Sequence, residues 1–174
     1  MASDDDEPPL RQQLAEAART DAVADMTDVA IRPYSDEDFA EVTSIWLGSW
    51  QTTGVPLQVT LDDLRARWSA ELADGWIVHV AVSEGQILGF IAYRGNIVEQ
   101  LFIAPDSQGY GIGKRLLDFA KAQMPSGFRL HTATQSRAGR FYEREGLLRG
   151  ETRPHPRHGH SITDYAWSPR ETRD

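Results

Sequence analysis

Apolar and polar positions along the chain recur with two periods, one typical of helices and one typical of strands. Four stretches have apolar residues every three or four positions, which predicts amphipathic helices beginning near Ser35, Thr60, Gly111 and Ser136. Shorter apolar or alternating runs predict strands over residues 29–34, 76–82, 87–93, 97–103, 128–134, 147–152 and 160–167. The predicted element order is therefore β-α-α-β-β-β-α-β-α-β-β.

Residues at the element boundaries support this order. Ser35 and Thr60 each stand at an N-cap position, and Gly146 follows the last short helix, where glycine is favoured. Hairpin turns impose antiparallel pairing and helical crossovers impose parallel pairing, so the sheet must be mixed. We expect an α/β (α+β) fold with a mixed, mostly antiparallel sheet of six to seven strands flanked by four helices.

Composition is that of a globular protein and excludes several functional classes. The 174 residues suffice for one domain with a sizeable core, and 40% of them are hydrophobic. Without cysteine the chain can form no disulfide, thiolate zinc site or cysteine nucleophile. The net charge of −8 argues against nucleic-acid binding. No apolar run is long enough to span a membrane and the first residues are acidic, unlike a signal peptide, so we expect a cytoplasmic protein without membrane partners.

Acidic residues are concentrated at the beginning of the chain. Residues 1–30 contain eight acidic residues and two arginines, which leaves the remainder close to neutral. Residues 1–27 combine an acidic run with an alanine-rich stretch that has few large apolar side chains. We therefore expect residues 1–27 to be an acidic, flexible N-terminal extension and residues 28–174 to form a single domain.

The most informative stretch is Leu101–Leu117, in which a predicted strand passes through a glycine-rich turn into a predicted helix. The first N–H groups of such a helix have no partner in the chain, and glycine lets them approach an anion closely, which predicts a site for a phosphorylated ligand. The spacing fits neither the P-loop nor the dinucleotide-binding motif. It does match the pattern Gln/Arg-x-x-Gly-x-Gly/Ala at Gln108, Gly111 and Gly113.

A second segment, residues 134–147, reads Thr-Gln-Ser-Arg-Ala-Gly-Arg-Phe-Tyr-Glu-Arg-Glu-Gly-Leu. Together with the glycine-rich loop it resembles the GNAT superfamily of acyl-CoA-dependent N-acetyltransferases, whose second signature is Asn-x-x-Ala-x-x-Phe-Tyr-x-x-x-Gly-Phe. Gln135 and Leu147 depart from that signature, where Asn and Phe are usual. The resemblance covers roughly residues 29–168 and implies the GNAT fold, whose element order is the one predicted above.

The resemblance implies that acetyl-CoA is the cofactor. In the family the glycine-rich loop seats the pyrophosphate of coenzyme A, and the pantetheine arm pairs with the preceding strand. Matched onto this sequence, the Leu101 N–H is implied to donate to the thioester carbonyl and to stabilise the oxyanion. The cofactor-binding residues implied in this way are Leu101, Phe102, Ile103, Gln108, Gly109, Tyr110, Gly111, Ile112, Gly113, Lys114, Gln135, Ala138, Phe141 and Tyr142.

Acetyl transfer to an amine also needs a general acid and a general base. Tyr142, which matches the second signature, is the candidate general acid that protonates the departing thiolate. Glu99 is the candidate general base, acting through water, because it interrupts an apolar strand on the same face as Leu101. An ion pair with a nearby arginine would explain Glu99 equally well. His79 and His131, in two other predicted strands, are alternative bases.

We expect the acceptor to be a primary amine of a small molecule or a peptide, bound by the two early helices and the last loop. The candidate substrate-binding residues are Trp46, Trp50 and Asp164. Three histidines between residues 155 and 160 lie in a proline-broken loop that borders the acceptor site in the family. We predict no metal there, because no carboxylate, cysteine or helical register accompanies these histidines.

Three functions are compatible with the sequence. The first is N-acetyl transfer from acetyl-CoA. The second is a non-catalytic acyl-CoA-binding or regulatory module of the same fold, against which the retained Tyr142 and the intact glycine-rich loop argue. The third is a nucleotide-binding α/β domain, which the failed motif spacings disfavour. Many proteins of this fold form dimers, and the sequence leaves a homodimer open.

Overall fold

The computed structural model describes residues 28–56 and 58–170. The four α-helices in these residues are α1 (Phe39–Gln51), α2 (Leu61–Ala73), α3 (Ile112–Gln123) and α4 (Ala138–Arg144). The seven strands in the same residues are β1 (Ala30–Pro33), β2 (Ile77–Ser83), β3 (Gln86–Arg94), β4 (Ile97–Ile103), β5 (Phe128–Ala133), β6 (Leu148–Pro154) and β7 (Ser161–Trp167). The predicted acidic extension, residues 1–27, lies outside the described residues.

The strands form one sheet in the order β1-β2-β3-β4-β5-β7-β6. Neighbouring strands are antiparallel except β4 and β5, which are parallel. The parallel pair follows from the chain order, because α3 carries the chain back across the sheet between β4 and β5. The predicted mixed, mostly antiparallel sheet flanked by four helices is confirmed for the described part of the chain.

Hydrophobic side chains cover both faces of this sheet. On one face α1 and α2 bury a cluster that includes Trp46, Trp68 and Phe90. On the other face α3 and α4 bury a cluster that includes Leu116 and Tyr142. The central strand β3 serves both clusters, since it is apolar and buried along almost its whole length. Among the helices of residues 28–56 and 58–170, none is long and apolar enough to cross a bilayer.

Side-chain caps position the first two helices. The Thr60 hydroxyl accepts the Asp63 N–H at 3.1 Å, and the Asp63 carboxylate accepts the Thr60 N–H at 2.9 Å, which makes a reciprocal capping box for α2. Ser35 and Asp38 make the same arrangement around a 3-10 turn, so α1 begins at Phe39, four residues after the predicted cap. The predicted caps are therefore present, although the first of them starts a 3-10 turn rather than an α-helix.

The sheet opens between β4 and β5. Among the described residues, these two strands are in register only at Ile97 and Arg129. Glu99 is an extra residue in the pairing of β4 with β3, which makes it a β-bulge. A bulge bends its strand and increases the local twist, and β4 separates from β5 at this point. The separation leaves a gap at the carboxyl ends of both strands.

Candidate functional site

The gap between β4 and β5 opens into a cleft with a volume of about 1490 Å³. Its walls come from β4, β5, the end of α1, the middle of α2, the loop of residues 107–114, α4 and the loop of residues 155–160. Large concave sites of this kind are the usual places for small ligands. The predicted site residues on its walls are Trp50, Glu99, Leu101, Phe102, Ile103, Gln108, Gly109, Gly111, Ile112, Gly113, Lys114, Gln135, Ala138, Phe141 and Tyr142.

The backbone of β4 forms one side of the cleft. The Ala104 N–H donates to the Leu88 carbonyl of β3 at 2.8 Å. Because the backbone groups of successive residues in a strand point to opposite neighbours, those of Leu101 and Ile103 face away from β3 and toward the gap. The Ile103 carbonyl accordingly accepts bonds from the Ser49 hydroxyl and, at 3.3 Å, from the Gln108 amide. Backbone donors of β4 are thus presented to whatever lies between β4 and β5.

The glycine-rich loop closes one end of the cleft. Gly109 and Gly111 have φ angles of +85° and +82°, in the left-handed region that favours glycine, and a Cβ at either position would meet no atom within 4 Å. The first helical bond of α3 runs from the Arg115 N–H to the Gly111 carbonyl at 3.2 Å. The three N–H groups before Arg115 therefore lack an acceptor within the helix and point out of its N-terminus. This arrangement fits a phosphate group on the cleft side of the loop.

Contacts behind the loop hold it against α4. A Cβ on Gly113 would lie 3.4 Å from the Phe141 ring, so the two residues already pack at van der Waals distance. The Lys114 ammonium bonds the carboxylates of Asp118 and Glu145 at 3.1 and 3.2 Å. Since its charge is already paired, Lys114 contributes to a phosphate site chiefly through its backbone N–H.

Tyr142 projects from α4 into the base of the cleft. Its side chain is 6% exposed and packs 5.6 Å from the Tyr165 ring, centroid to centroid. Burial raises the pKa of Tyr142 above the ordinary value for a phenol. The hydroxyl therefore keeps its proton throughout the neutral range and can donate it to a group in the cleft.

Glu99 stands at the bulge in β4, on the wall of the cleft. The bulge shifts the alternation of the strand, so the predicted shared face with Leu101 is wrong: the Leu101 side chain packs on the α3 side of the sheet, whereas Glu99 reaches Arg94 beside α2. Its carboxylate lies 3.3 Å from the Arg94 guanidinium, which also bonds Glu71 at 2.8 Å and the Asp74 carboxylate. The arginine pair that offered an alternative explanation of Glu99 is therefore present. Arg94 is shared among three carboxylates, so this pairing does not remove Glu99 from the cleft.

His131 lies on β5, on the opposite wall of the cleft. Burial lowers the pKa of His131 below its ordinary value, with the nearby Arg153 acting in the same direction and the charges of Asp164 and Glu99 opposing it. Its imidazole is consequently neutral at physiological pH. A neutral imidazole and a carboxylate thus face each other where the two strands separate.

Aromatic rings line another part of the cleft, called the aromatic end below, which includes Trp50, His155 and His160. The His155 ring stacks on that of His160 with centroids 4.9 Å apart, and Trp50 meets His158 and His160 edge-on at 6.3 Å. His155 Nδ1 accepts the backbone N–H groups of Arg157 and His158, each at 3.1 Å. Burial and the neighbouring histidines lower the pKa of His155 to about 4.

Buried polar atoms at this end lack partners in the described residues. They are Nε1 of Trp50, Nδ1 of His160 and Nε of Arg67. Buried polar groups are normally hydrogen-bonded, so these three atoms are exceptions that mark this end of the cleft. Within residues 28–56 and 58–170, no group of three or more histidine, cysteine or acidic side chains could hold a metal ion.

Three predicted site residues lie outside the cleft walls. Trp46 has 0% exposure and packs against Trp68 in the core beneath α1, so its proposed role as a pocket wall is corrected to a core role. Asp164 does not line the cleft and bonds the Arg153 guanidinium at 2.8 and 3.0 Å, which corrects its placement at the acceptor. Tyr110 lies in the glycine-rich loop but does not line the cleft.

His79, an alternative base, also lies elsewhere. Its ring is 4.5 Å from that of Phe119 of α3, in the packing between β2 and that helix. The His79 imidazole therefore packs between β2 and α3 and does not line the cleft.

Sequence reasoning missed six charged residues on the cleft wall: Arg67 and Glu71 of α2, Arg137, Arg144 and Glu145 in or beside α4, and Arg157 of the β6–β7 loop. Arg67 and Glu71 are four residues apart and oppositely charged, which is also the pattern of an ordinary solvent-exposed helix pair. Nothing in the local sequence distinguishes a charged pair that lines a cleft from one that is exposed to solvent. Their place in the cleft follows only from the packing of α2 against the sheet.

Comparison with known proteins identifies the family. Residues 74–146 match the model of the acetyltransferase (GNAT) domain. The peptidyl-lysine N-acetyltransferase YjaB of Escherichia coli K12 is 30% identical over 124 residues, which span 68% of this chain and 82% of YjaB. Phosphinothricin N-acetyltransferase of Alcaligenes faecalis is 32% identical over 99 residues, and this match spans 50% of this chain and 50% of that protein.

Solved structures agree with these matches. The solution structure of apo YjaB has a TM-score of 0.64 and 24% identity, covering 80% of this chain and 97% of YjaB. The PaiA N-acetyltransferase of Thermoplasma acidophilum, solved with coenzyme A, has a TM-score of 0.61 and 20% identity, covering 80% of this chain and 99% of PaiA. The fold is common to all three proteins. Since the sequence match to YjaB extends over most of that protein, the chain belongs to the GNAT superfamily of N-acetyltransferases.

Proposed function

We propose that this protein transfers an acetyl group from acetyl-CoA to a primary amine of a small molecule or a peptide. The observation that supports this most is the coincidence of three features in one cleft: the separated strands β4 and β5, the glycine-rich loop at one end, and Tyr142 at the base. Relatives named for peptidyl-lysine and for phosphinothricin acetylation make both kinds of amine reasonable acceptors.

The residues of the cleft fit acetyl-CoA, which supplies an acetyl group activated as a thioester. The backbone amides between Gly109 and Lys114 would bind its pyrophosphate, because they precede the first bonded turn of α3 and glycine leaves room for a close approach. The gap beside β4 would hold the pantetheine arm. The Leu101 N–H would donate to the thioester carbonyl and stabilise negative charge on that oxygen.

Tyr142 serves as the general acid in this proposal. Its phenol keeps its proton at neutral pH because burial raises its pKa. As the bond between the acetyl carbon and sulfur breaks, negative charge would develop on sulfur and the phenol proton would move to it, which leaves a phenolate on Tyr142. Tyr142 is therefore suited to donate its proton to sulfur and to recover one from solvent afterwards.

Glu99 serves as the general base. An ammonium must lose a proton before its nitrogen can attack, and a carboxylate acting through water can accept that proton. Glu99 lies at the bulge two residues before Leu101, on the cleft wall. Arg94 holds the Glu99 carboxylate in place at 3.3 Å. His131, neutral on the opposite wall, is the second candidate for this role.

Two measurements test the proposal. Titration calorimetry with acetyl-CoA should give micromolar binding, and ATP and NAD, titrated in the same way, should not bind at similar concentrations. Incubation with acetyl-CoA and a panel of amines should then give N-acetylated products detectable by mass spectrometry. Tight binding of acetyl-CoA without product from any amine would favour the non-catalytic acyl-CoA-binding module. Failure to bind acetyl-CoA would overturn the proposal.

A further inference from the structure

Two guanidinium groups lie at the aromatic end of the cleft. Arg67 of α2 and Arg157 of the β6–β7 loop both contribute to the wall there. The Arg67 side chain is 21% exposed, and its guanidinium carbon lies 5.3 Å from the centroid of the Trp46 ring. The buried core residue Trp46 thereby sets the position of the Arg67 charge.

The charge of Arg67 is incompletely paired. Its Nε is buried without a hydrogen-bond partner in the described residues. The nearest carboxylate oxygen, Oε1 of Glu71, is 3.6 Å from that nitrogen, beyond hydrogen-bond distance. Glu71 is itself shared with Arg94, which it bonds at 2.8 Å. The Arg67 charge is thus only partly balanced by its neighbours.

Arg157 supplies a second, freer charge. Its backbone N–H is held by His155 Nδ1 at 3.1 Å, which fixes this residue at the mouth of the cleft. In the described part of the chain Arg157 forms no ion pair. Burial lowers the pKa of Arg67, and the charge of Arg157 lowers it further, so the two guanidinium groups repel each other. An anion bound between them would relieve that repulsion.

Carboxylates of the opposite sign lie close by. Glu99 and Glu71 line the same end of the cleft, and the charge of Glu99 acts on Arg67. The cleft wall therefore combines carboxylates with incompletely paired guanidinium groups close to one another. This is the complement of a molecule that carries an ammonium and an anionic group only a few bonds apart.

We infer that the acceptor is an amino acid, whose carboxylate is bound by Arg67 and Arg157 while its amine faces Glu99. A guanidinium can bind a carboxylate through two parallel hydrogen bonds, which makes arginine suited to this task. The stacked histidines and Trp50 would then surround the amino-acid side chain. This inference rests on the proposed N-acetyltransferase activity and specifies its substrate class.

The experiment compares free L-amino acids with their carboxamides as acceptors. Each pair has the same shape, but the carboxamide has no negative charge. Its amine is also the less basic of the two, so a preference for the acid cannot arise from a larger fraction of neutral amine. We expect the wild-type kcat/KM to be about 10- to 100-fold higher for the best amino acid than for its carboxamide, the range expected for a charged hydrogen-bonded contact.

Variants assign that preference to the two arginines. Arg157→Gln should raise the KM for the amino acid by about 10-fold or more and lower kcat/KM for the carboxamide by a much smaller factor. Arg157→Lys, which retains the charge, should restore part of the loss. Arg149→Gln is the matched control, because Arg149 is an exposed arginine of β6 outside the cleft.

A binding measurement separates this inference from the proposed function. Titrating the preferred amino acid into protein saturated with coenzyme A should give heat in the wild type and much less in Arg157→Gln. Acetylation that favours carboxamides, or a lysine peptide with both ends blocked, would overturn the inference while leaving the proposed function in place. Failure of the protein to bind acetyl-CoA would overturn both.

Discussion

Glu99 and His131 stand opposite each other across the gap in the sheet, each two residues beyond the Ile97–Arg129 pair that joins β4 to β5. The charge of Glu99 opposes the lowering of the His131 pKa that burial causes. Both side chains line the cleft at the place where the strands separate. They are the only carboxylate and the only imidazole that β4 and β5 contribute to the cleft wall, which the Leu101 residue also lines.

This relationship allows the general base to be assigned. We expect Glu99→Gln to lower kcat by about 100-fold or more with little change in the KM for acetyl-CoA, because the variant keeps the shape of the side chain but cannot take a proton. His131→Gln should lower kcat by a smaller factor. Steady-state kinetics on both variants provides the measurement. A larger loss of kcat in His131→Gln than in Glu99→Gln would assign the base to His131.

Gly111→Asp should abolish acetyl-CoA binding. The substitution places a side chain in the left-handed region at φ +82° and puts negative charge at the N-terminus of α3, where the pyrophosphate is proposed to bind. The backbone strain alone should cost about 1 kcal/mol of stability. Calorimetric titration measures the loss of binding.

Gly85→Asp is the control for this variant. Gly85 has φ +77° in the β2–β3 turn, equally open but outside the cleft. It should be destabilised to a similar extent and yet bind acetyl-CoA as the wild type does. Equal loss of binding in both variants would contradict an anion site at the glycine-rich loop.

Tyr142→Phe should lower kcat by about 100- to 10,000-fold while leaving acetyl-CoA affinity unchanged, since the ring is retained and only the proton donor is lost. Tyr165→Phe removes a hydroxyl from the neighbouring ring, which does not line the cleft, and should keep near wild-type activity. Rapid-quench or steady-state kinetics distinguishes the two. Activity retained in Tyr142→Phe would mean that another group protonates the thiolate.

Trp46 and Trp50 should respond differently to truncation. Trp46→Ala removes a fully buried ring and should lower the free energy of unfolding by about 3–5 kcal/mol. Trp50→Ala removes a partly exposed ring from the cleft wall, so it should raise the acceptor KM with a smaller loss of stability. Denaturant unfolding and acceptor kinetics on both variants test this. Similar loss of stability in the two would contradict their placement.

Stability should decrease as the pH falls from about 6.5 to about 4, because the pKa of His155 is lowered to about 4 in the fold. An unfolded histidine binds a proton near pH 6.5. Between these values the unfolded state holds more protons than the native state, so the contribution of a neutral His155 is complete above pH 6.5 and lost on the way down to pH 4. The pKa values of the neighbouring His131, His158 and His160 are lowered as well, which adds to the effect.

His155→Asn tests this dependence. The asparagine carbonyl can accept the backbone N–H groups that His155 Nδ1 now accepts, without a proton to bind. Thermal unfolding at about pH 7.5 and about pH 5 should show a smaller decrease in Tm for the variant than for the wild type. An equal decrease would place the pH dependence in other groups.

Local sequence determined the helices and strands closely because their signals are short-range. Thr60 caps α2, as the sequence predicts, and Asp63, three residues later, completes the capping box. Predicted boundaries agree with the structure within one to three residues, with exceptions such as the first helix, which begins as a 3-10 turn. The glycine-rich loop was recognisable for the same reason, since its φ angles and its position at a helix start are properties of neighbouring residues.

The arrangement of the cleft was decided by tertiary structure. Trp46 and Trp50 are one helical turn apart, so helical periodicity places them on one face and cannot tell that one is buried in the core while the other reaches the cleft. The sequence pattern correctly places Asp164 within a strand, β7. Its ion pair with Arg153, however, depends on the register of β6 against β7.

The sequence by itself determined the helical and strand periods of the apolar residues, the helix caps, the glycine-rich loop and the family resemblance. All of these depend on residues close together in the chain. It could not determine the gap between β4 and β5, the stacked histidines or the approach of Arg157 to Arg67. Arg67 and Arg157 are separated by most of the domain in sequence. Only the packing of α2 and the β6–β7 loop against the sheet brings their charges to one end of a cleft, because contact between distant residues is set by the shape of the whole fold rather than by local conformational preference.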